Sequence, residues 1–323
     1  MEHVKIIIEN CNNCSLDVSA KIGLKLYKEF SIKHPNAFYL RGKVKNWDGM
    51  VHFINKGAQF KIGLLPLVVA KCKEFGYKVK VIDTRPKLEL PKKPVTKIAQ
   101  FDLREEQIQA VSSILYNKVE NIPFHIGVID YTVNAGKTAV MVALYLSFKR
   151  KLKTLLITND SDWLNQAKRE FKDYLPGEDI TFVQGSKVDN WSNFSIGMIQ
   201  SLSRNVKKYQ RELTKIDMVL VDEADLAGSK SYQTVLTHLY NTRVRIGLSG
   251  TIYMSKLVRD KLKNMNLEAF FGQRLSEFRL KESIDKGYST NTIVKIVPSK
   301  PYYGKWVSKE RTYKEIYDDT ITN

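Results

Sequence analysis

The chain has 323 residues, 43% of them apolar, and a formal charge of +18 from 52 basic and 34 acidic side chains. That length predicts two or three domains rather than one small core. No apolar run is long enough to cross a bilayer and Met1-Glu2-His3-Val4-Lys5 is not a signal peptide, so no membrane partner is expected and the expected compartment is the cytoplasm, the host's if the chain is phage-encoded.

Residues 1–95 hold 18 basic and 8 acidic side chains, against 34 and 26 in the remaining 228. The basic surplus is densest at the start and predicts a polyanionic partner, nucleic acid first. Residues 1–83 read as a small basic α+β domain. Val4 to Ile8 reads as a strand and Ser19 to Phe30 as a helix with apolar positions Ile22, Leu24, Leu26, Tyr27 and Phe30. Val51 to Ile54 reads as a strand, Leu64 to Phe75 as a second helix stopped by Gly76, and Tyr77 to Ile82 as an alternating strand. Cys11 and Cys14 have metal-ligand spacing, but no second Cys or His pair completes a zinc site, and with Cys72 they make no disulfide framework.

Residues 84–100 carry Pro86, Pro91 and Pro94 among lysines and read as a linker. Residues 101–290 then alternate apolar strands with helical stretches. Strands are expected at 126–130, 154–158, 180–183, 195–199, 218–222 and 244–248, and helices at 138–150, 161–174, 230–240 and 254–264. This order predicts an α/β fold with a doubly wound parallel sheet. Beyond Gly287 the pattern changes. One more strand is expected at 291–297 and the start of a helix at 313–323.

Two pieces carry chemistry. Val133-Asn134-Ala135-Gly136-Lys137-Thr138 follows the first strand of the alternating region and ends as a phosphate-binding loop does, although Tyr131 stands where the full pattern has its first glycine. Backbone N–H groups at a helix start attract anions, Lys137 can reach the β- and γ-phosphates, and the Thr138 hydroxyl can bind Mg²⁺. Met218 to Val221 is a second buried strand, closed by Asp222, Glu223 and Asp225. Acids at the carboxyl end of such a strand suit Mg²⁺ and water. ATP and Mg²⁺ are therefore the expected cofactors.

Leu103-Arg104-Glu105-Glu106-Gln107, Asn134 to Thr138, Asp222-Glu223-Ala224-Asp225 and Ser249-Gly250-Thr251, in that order, resemble the superfamily 2 nucleic-acid helicases of the DEAD/DEAH type. Asn46-Trp47-Asp48-Gly49, Gly63-Leu64-Leu65-Pro66 and Phe75-Gly76-Tyr77 resemble the N-terminal domain of the UvsW-like phage helicases. The resemblance implies a RecA-like ATP-binding lobe over 101–290 and a DNA-unwinding or branch-remodelling activity in replication, recombination or repair. It implies that Lys137 and Thr138 hold phosphate and Mg²⁺ and that Asp222 holds Mg²⁺ through water. Glu223 would activate the attacking water, and Arg104 and Gln107 would read adenine. Asp225, Ser249, Gly250 and Thr251 would couple nucleotide state to grip on DNA. Asn159 and Gln166 match one backbone-contacting segment and Gln200 and Ser201 a second, though Asn159 stands where proline is usual. Trp47 is the candidate for base stacking.

The resemblance also implies a second RecA-like lobe with arginine fingers. None is recognisable, and 291–323 resembles only the segment that enters it. The chain is thus expected to be a fragment or one half of a split motor, its second lobe supplied by the same gene or in trans. Two other readings are a nucleic-acid-binding module that binds ATP but needs that lobe to hydrolyse it, and a metabolic P-loop kinase. The basic N-terminal domain and Ser249-Gly250-Thr251 speak against the kinase.

Overall fold

The computed structural model describes residues 2–40, 47–186, 188, 190–252 and 258–290. The strand and helix expected at 291–297 and 313–323, and the first residues of the helix expected at 254–264, lie outside the described residues.

The chain opens on a four-stranded sheet made of β1 (His3–Ile8), β2 (Asn13–Asp17), β3 (Gln59–Lys61) and β4 (Lys78–Asp83), in the order β3-β2-β1-β4. Period-2 alternation drives it. Val4, Ile6 and Ile8 of β1 point inward and share a core with Leu26 of α1 (Ala20–Glu29) and with Leu65, Val68 and Cys72 of α2 (Leu65–Glu74). The short β2 carries too few apolar residues to be marked by sequence. Its place is set by pairing with β1 on one side and β3 on the other.

Among the described residues the larger sheet has seven strands, all parallel: β5 (Ile126–Tyr131), β6 (Thr154–Thr158), β7 (Ile180–Val183), β8 (Phe194–Met198), β9 (Met218–Asp222), β10 (Val244–Ser249) and β11 (Arg274–Phe278). Their order is β7-β8-β6-β9-β10-β5-β11. Leu220 of β9 enters the core on one face, and Val219 and Val221 enter the core on the other. A strand buried on both faces must be apolar throughout, which is why it reads as a continuous run. The edge strand β11 has no such run and was not expected. It lies against β5, where Leu275 fills the space left by Gly127; a Cβ on that glycine would sit 2.2 Å from Leu275 Cδ1.

Helices cover the sheet: α3 (Glu105–Leu115), α4 (Lys137–Ser147), α5 (Ser161–Tyr174), α6 (Ile199–Arg204), α7 (Val206–Leu213), α8 (Lys230–Leu236), α9 (Val258–Phe271) and α10 (Leu280–Asp285). Three limits differ from expectation. α4 stops at Ser147, not 150, because Lys149 and Arg150 take left-handed backbone at φ 53° and 58°. α8 ends at Leu236 rather than 240. α9 runs on to Phe271, since Leu267, Phe270 and Phe271 remain buried beyond 264.

The proline-rich segment is stitched to the lobe. Leu88, Leu90 and Val95 pack on its core, and the Val95 N–H donates to Ser147 Oγ at 3.1 Å. The small sheet and the lobe also share a core, in which Val119, Phe124, Ile126 and Ala269 join the N-terminal cluster. At that junction Arg245 is 1% exposed; its Nη2 donates to Asn12 Oδ1 at 2.7 Å and to Leu239 O at 3.2 Å. Gly63 allows the closest approach, since a Cβ there would lie 2.1 Å from the carbonyl oxygen of Glu268.

Gly63→Ala is therefore expected to cost about 1–3 kcal/mol, the usual range for overpacking. Urea unfolding should show a lower midpoint with an unchanged slope. An unshifted midpoint would show that this contact does not set the docking.

Candidate nucleotide site

The phosphate loop runs from the end of β5 to the start of α4. Gly136 caps the helix at φ 77°, and Asn134 is also left-handed at φ 65°. No side chain caps the helix start, so its first N–H groups stay available to an anion. Val133 and Asn134 are exposed, Ala135 is buried, and Thr138 is half-buried in the first turn. Lys137 Nζ reaches back to Tyr131 O at 3.4 Å. Tyr131, which replaces the first loop glycine, is buried, and its hydroxyl donates to Glu106 O and lies 3.1 Å from Ser276 Oγ. The departure from the pattern thus serves as a bolt between β5, α3 and β11.

Gln107 braces the loop from behind. Its Oε1 accepts the Arg104 N–H at 3.0 Å and its Nε2 donates to Ala135 O at 3.3 Å. A Cβ on Gly136 would strike that amide at 2.2 Å, so a side chain there is excluded twice, by space and by backbone angle. Arg104 Nη1 lies 3.4 Å from Asn134 O. Gln107 is 5% exposed, which rules out a free surface residue.

The acids arrive on β9. Parallel register sets Asp222 beside Leu248 and Val221 beside Gly247, so the carboxyl ends of β9 and β10 coincide. Asp222 is 8% exposed, and its Oδ1 has no hydrogen-bond partner among the described residues. Glu223 takes left-handed backbone at φ 52°. Such strain in a non-glycine residue concentrates at functional sites. Burial raises the pKa of both carboxyls above their ordinary values, and Lys137 opposes the rise. Ser249 Oγ lies 3.3 Å from Asp225 Oδ1, 3.5 Å from Glu223 Oε2 and 3.4 Å from Thr251 Oγ1. A Cβ on Gly250 would sit 2.8 Å from Tyr131 O, so Ser249-Gly250-Thr251 lies directly against the end of β5. The residues expected to couple are thus in mutual contact.

Several groups here were not expected. Lys263 of α9 pairs with Asp225 at 3.1 Å. The hydroxyl of Tyr232 is buried without a partner among the described residues, and burial with the nearby acids pushes it up. Asp160 accepts the N–H groups of Asp162 and Trp163 at the start of α5. A cavity of about 460 Å³ beside the acids is lined by Asn159, Asp160, Ser161, Trp163, Asp222 and Glu223. Of these, Asp160 has a local signal that could have marked it, an Asp directly before a helix start.

The residues expected to touch nucleic acid divide. Asn159 and Gln200 meet, with Gln200 Nε2 3.4 Å from Asn159 O, and Ser201 Oγ accepts the Gly185 N–H at 2.8 Å. Gln166 is exposed on α5 and bonds Glu170. Trp47 stands apart, beside the hairpin of Ser31–Lys33 and Met50–His52. It is half-buried, its indole N–H donates to Met50 O at 2.9 Å, and its ring meets His34 edge-on.

Residues 100–254 match the family described as the type III restriction enzyme, res subunit. The ATP-dependent DNA helicase uvsW of Enterobacteria phage T4 is 22% identical over 305 residues, which cover 84% of this chain and 60% of that protein. The crystal structure of the UvsW helicase from bacteriophage T4 aligns with a TM-score of 0.67 at 21% identity, covering 85% of this chain and 99% of that one. The likeness to that structure shows a shared fold over most of the chain. The fold is that of a RecA-like lobe. A putative ATP-dependent RNA helicase, L396 of Acanthamoeba polyphaga mimivirus, is 27% identical over 125 residues, or 38% of this chain and 23% of that protein. The chain spans about 60% of the length of the T4 protein. No helix among the described residues is long and apolar enough to cross a membrane.

The site fits a cation. A buried carboxylate oxygen without a partner is the group that a hydrated Mg²⁺ would satisfy. Without the cation the Asp222 charge opposes folding at any pH above its ordinary value of 3.8, because the folded form holds its proton more tightly. Metal-free Asp222→Asn should therefore melt higher than the parent at pH 7, by on the order of 2–4 °C. The gain should fade as the pH drops towards about 4. A lower melting point for the variant at pH 7 would contradict the account of an uncompensated charge.

Proposed function

We propose that this chain is the ATP-binding part of an ATP-dependent DNA motor that unwinds or remodels duplex or branched DNA in replication, recombination or repair. The observation that carries the reading is the convergence of Lys137, Asp222, Glu223 and Ser249 on the carboxyl edge of one parallel sheet. Lys137 and the first N–H groups of α4 bind the triphosphate, and Thr138 and Asp222 hold Mg²⁺. When bound, Mg²⁺ neutralises charge between the phosphates. Glu223 orients the attacking water and accepts its proton; a carboxylate raised by burial is the better base for that. Gln107 and Arg104 serve the adenine end.

Asp225, Ser249 and Thr251 pass the state of the γ-phosphate to the elements that grip DNA. Asn159, Gln166, Gln200 and Ser201 contact the strand's backbone at the ends of β6 and β8. Residues 1–83 add a basic surface, with Trp47 beside it. Arginines of a second RecA-like lobe, in the same polypeptide or in trans, complete the transition state. Such a finger is worth ~10³–10⁵ in rate in related phosphoryl transfer. The T4 protein's name supports DNA, and the mimivirus protein's name keeps RNA as a substrate to be tested. A second reading is a nucleic-acid-binding module that binds ATP but needs a separate second lobe to hydrolyse it. The proposed location is the host cytoplasm.

Lys137→Ala should abolish ATP binding in calorimetry while the melting curve stays unchanged; undiminished affinity sinks the site. With the second lobe supplied, Glu223→Gln should keep Mg²⁺·ATP binding and lose at least ~10²-fold in turnover. Parental turnover in that variant would remove Glu223 from its role. The full chain should bind forked DNA with an affinity that falls steeply as salt rises, because phosphate contacts release counterions. Salt-independent binding, or none at low salt, would refute the nucleic-acid reading.

A further inference from the structure

Tyr288 lies at the far end of the lobe from the adenine motif in sequence, yet the two touch. The Arg104 guanidinium lies over the Tyr288 ring, 3.8 Å from its centroid. The local chain explains how. Helix α10 ends at Asp285, and Gly287 then takes φ 74°, a left-handed angle that reverses the backbone. The Tyr288 N–H closes on Ser283 O at 2.8 Å, and Ser283 Oγ meets Ser289 Oγ at 2.8 Å. The ring is half-buried and tilted towards Phe278, with centroids 6.4 Å apart. Lys286 Nζ pairs with Glu106 Oε2 at 2.9 Å, in the first turn of α3. The reversed turn is thus held on that helix start at two points.

The position of Arg104 gives the stack a use. Its backbone N–H is fixed by Gln107, and its Nη1 faces the carbonyl of Asn134 in the phosphate loop. A guanidinium is planar, and stacking on a tyrosine covers one face only. The other face, on a half-exposed side chain beside the loop, suits a second flat ring. A lysine at this place would offer a point charge and no plane.

We propose that Tyr288 is a positioning residue that holds the Arg104 guanidinium flat as the platform for the nucleotide's base, so that the base's share of the affinity is set by the Arg104–Tyr288 stack and the triphosphate's share by the loop. The proposal rests on the reading of the Lys137 loop as the nucleotide site. It extends the base-reading set to the turn that follows α10.

The test compares the parent chain with Tyr288→Ala, Tyr288→Phe, Arg104→Lys and Lys137→Ala. Each is titrated by calorimetry with Mg²⁺·ATP and Mg²⁺·tripolyphosphate. Tyr288→Ala should weaken ATP about tenfold, as the loss of one stacking contact does, and leave tripolyphosphate unchanged. Tyr288→Phe should restore ATP binding, and Arg104→Lys should repeat the base-selective loss. If Tyr288→Ala does not fold, Arg104→Lys against Tyr288→Phe decides by the same criterion. Equal losses for ATP and tripolyphosphate, or no loss for either, overturn the platform and leave a clamp for the turn. Lys137→Ala separates the two levels. Loss of both ligands in that variant upholds the nucleotide site whatever Tyr288 does, and unaltered binding of both removes the site itself.

Discussion

Everything at this site depends on parallel register. β5, β9 and β10 lie side by side and run the same way, so their carboxyl ends form one edge. Asp130 pairs with Ser249 in register, and Asp222 with Leu248. Three stretches far apart in the chain are thereby brought within contact of one another. A slip of one residue in β9 would turn every side chain over and point the acids into a core. The continuous apolar runs of these strands prevent the slip, because both faces are filled.

The lobe carries unfavourable electrostatics where chemistry is proposed. Asp222 and Glu223 are buried enough for their charged forms to be penalised, Glu223 is held in a strained backbone, and Lys137 opposes the penalty without a direct hydrogen bond to either acid among the described contacts. Well-packed cores on both faces of the sheet supply the stability that tolerates this. Arg245 differs. It is fully buried, its pKa is lowered to about 10 by desolvation, and its Nη2 is held by neutral oxygens of Asn12 and Leu239. It joins the small domain to the lobe by hydrogen bonding rather than by charge pairing.

That junction has a mechanical consequence. The small sheet shares apolar residues with the lobe, contacts it through Asn12, and approaches α9 at Gly63 more closely than any other side chain would allow. A basic domain mounted this way is packed onto the lobe that carries the candidate site rather than merely tethered to it. On the proposed function, DNA held by residues 1–83 keeps a fixed relation to the lobe while other parts close and open around ATP.

Sequence alone determined the parallel α/β lobe, because strands buried on both faces must be apolar runs and the helices between them carry a period of 3.6. It also picked out the candidate residues, since a Gly-Lys-Thr helix start and three acids after a strand are local in the chain. Tertiary structure decided the rest. The edge strand β11 exists because Gly127 leaves room for Leu275, a relation across the sheet that no local pattern records. Tyr131 replaces a glycine because its hydroxyl reaches α3 and β11. Lys263 meets Asp225, and Tyr288 meets Arg104, only because α9 and α10 fold back on the lobe. Such contacts depend on where whole elements pack, and packing is settled by the sum of many weak contacts rather than by any one stretch of sequence.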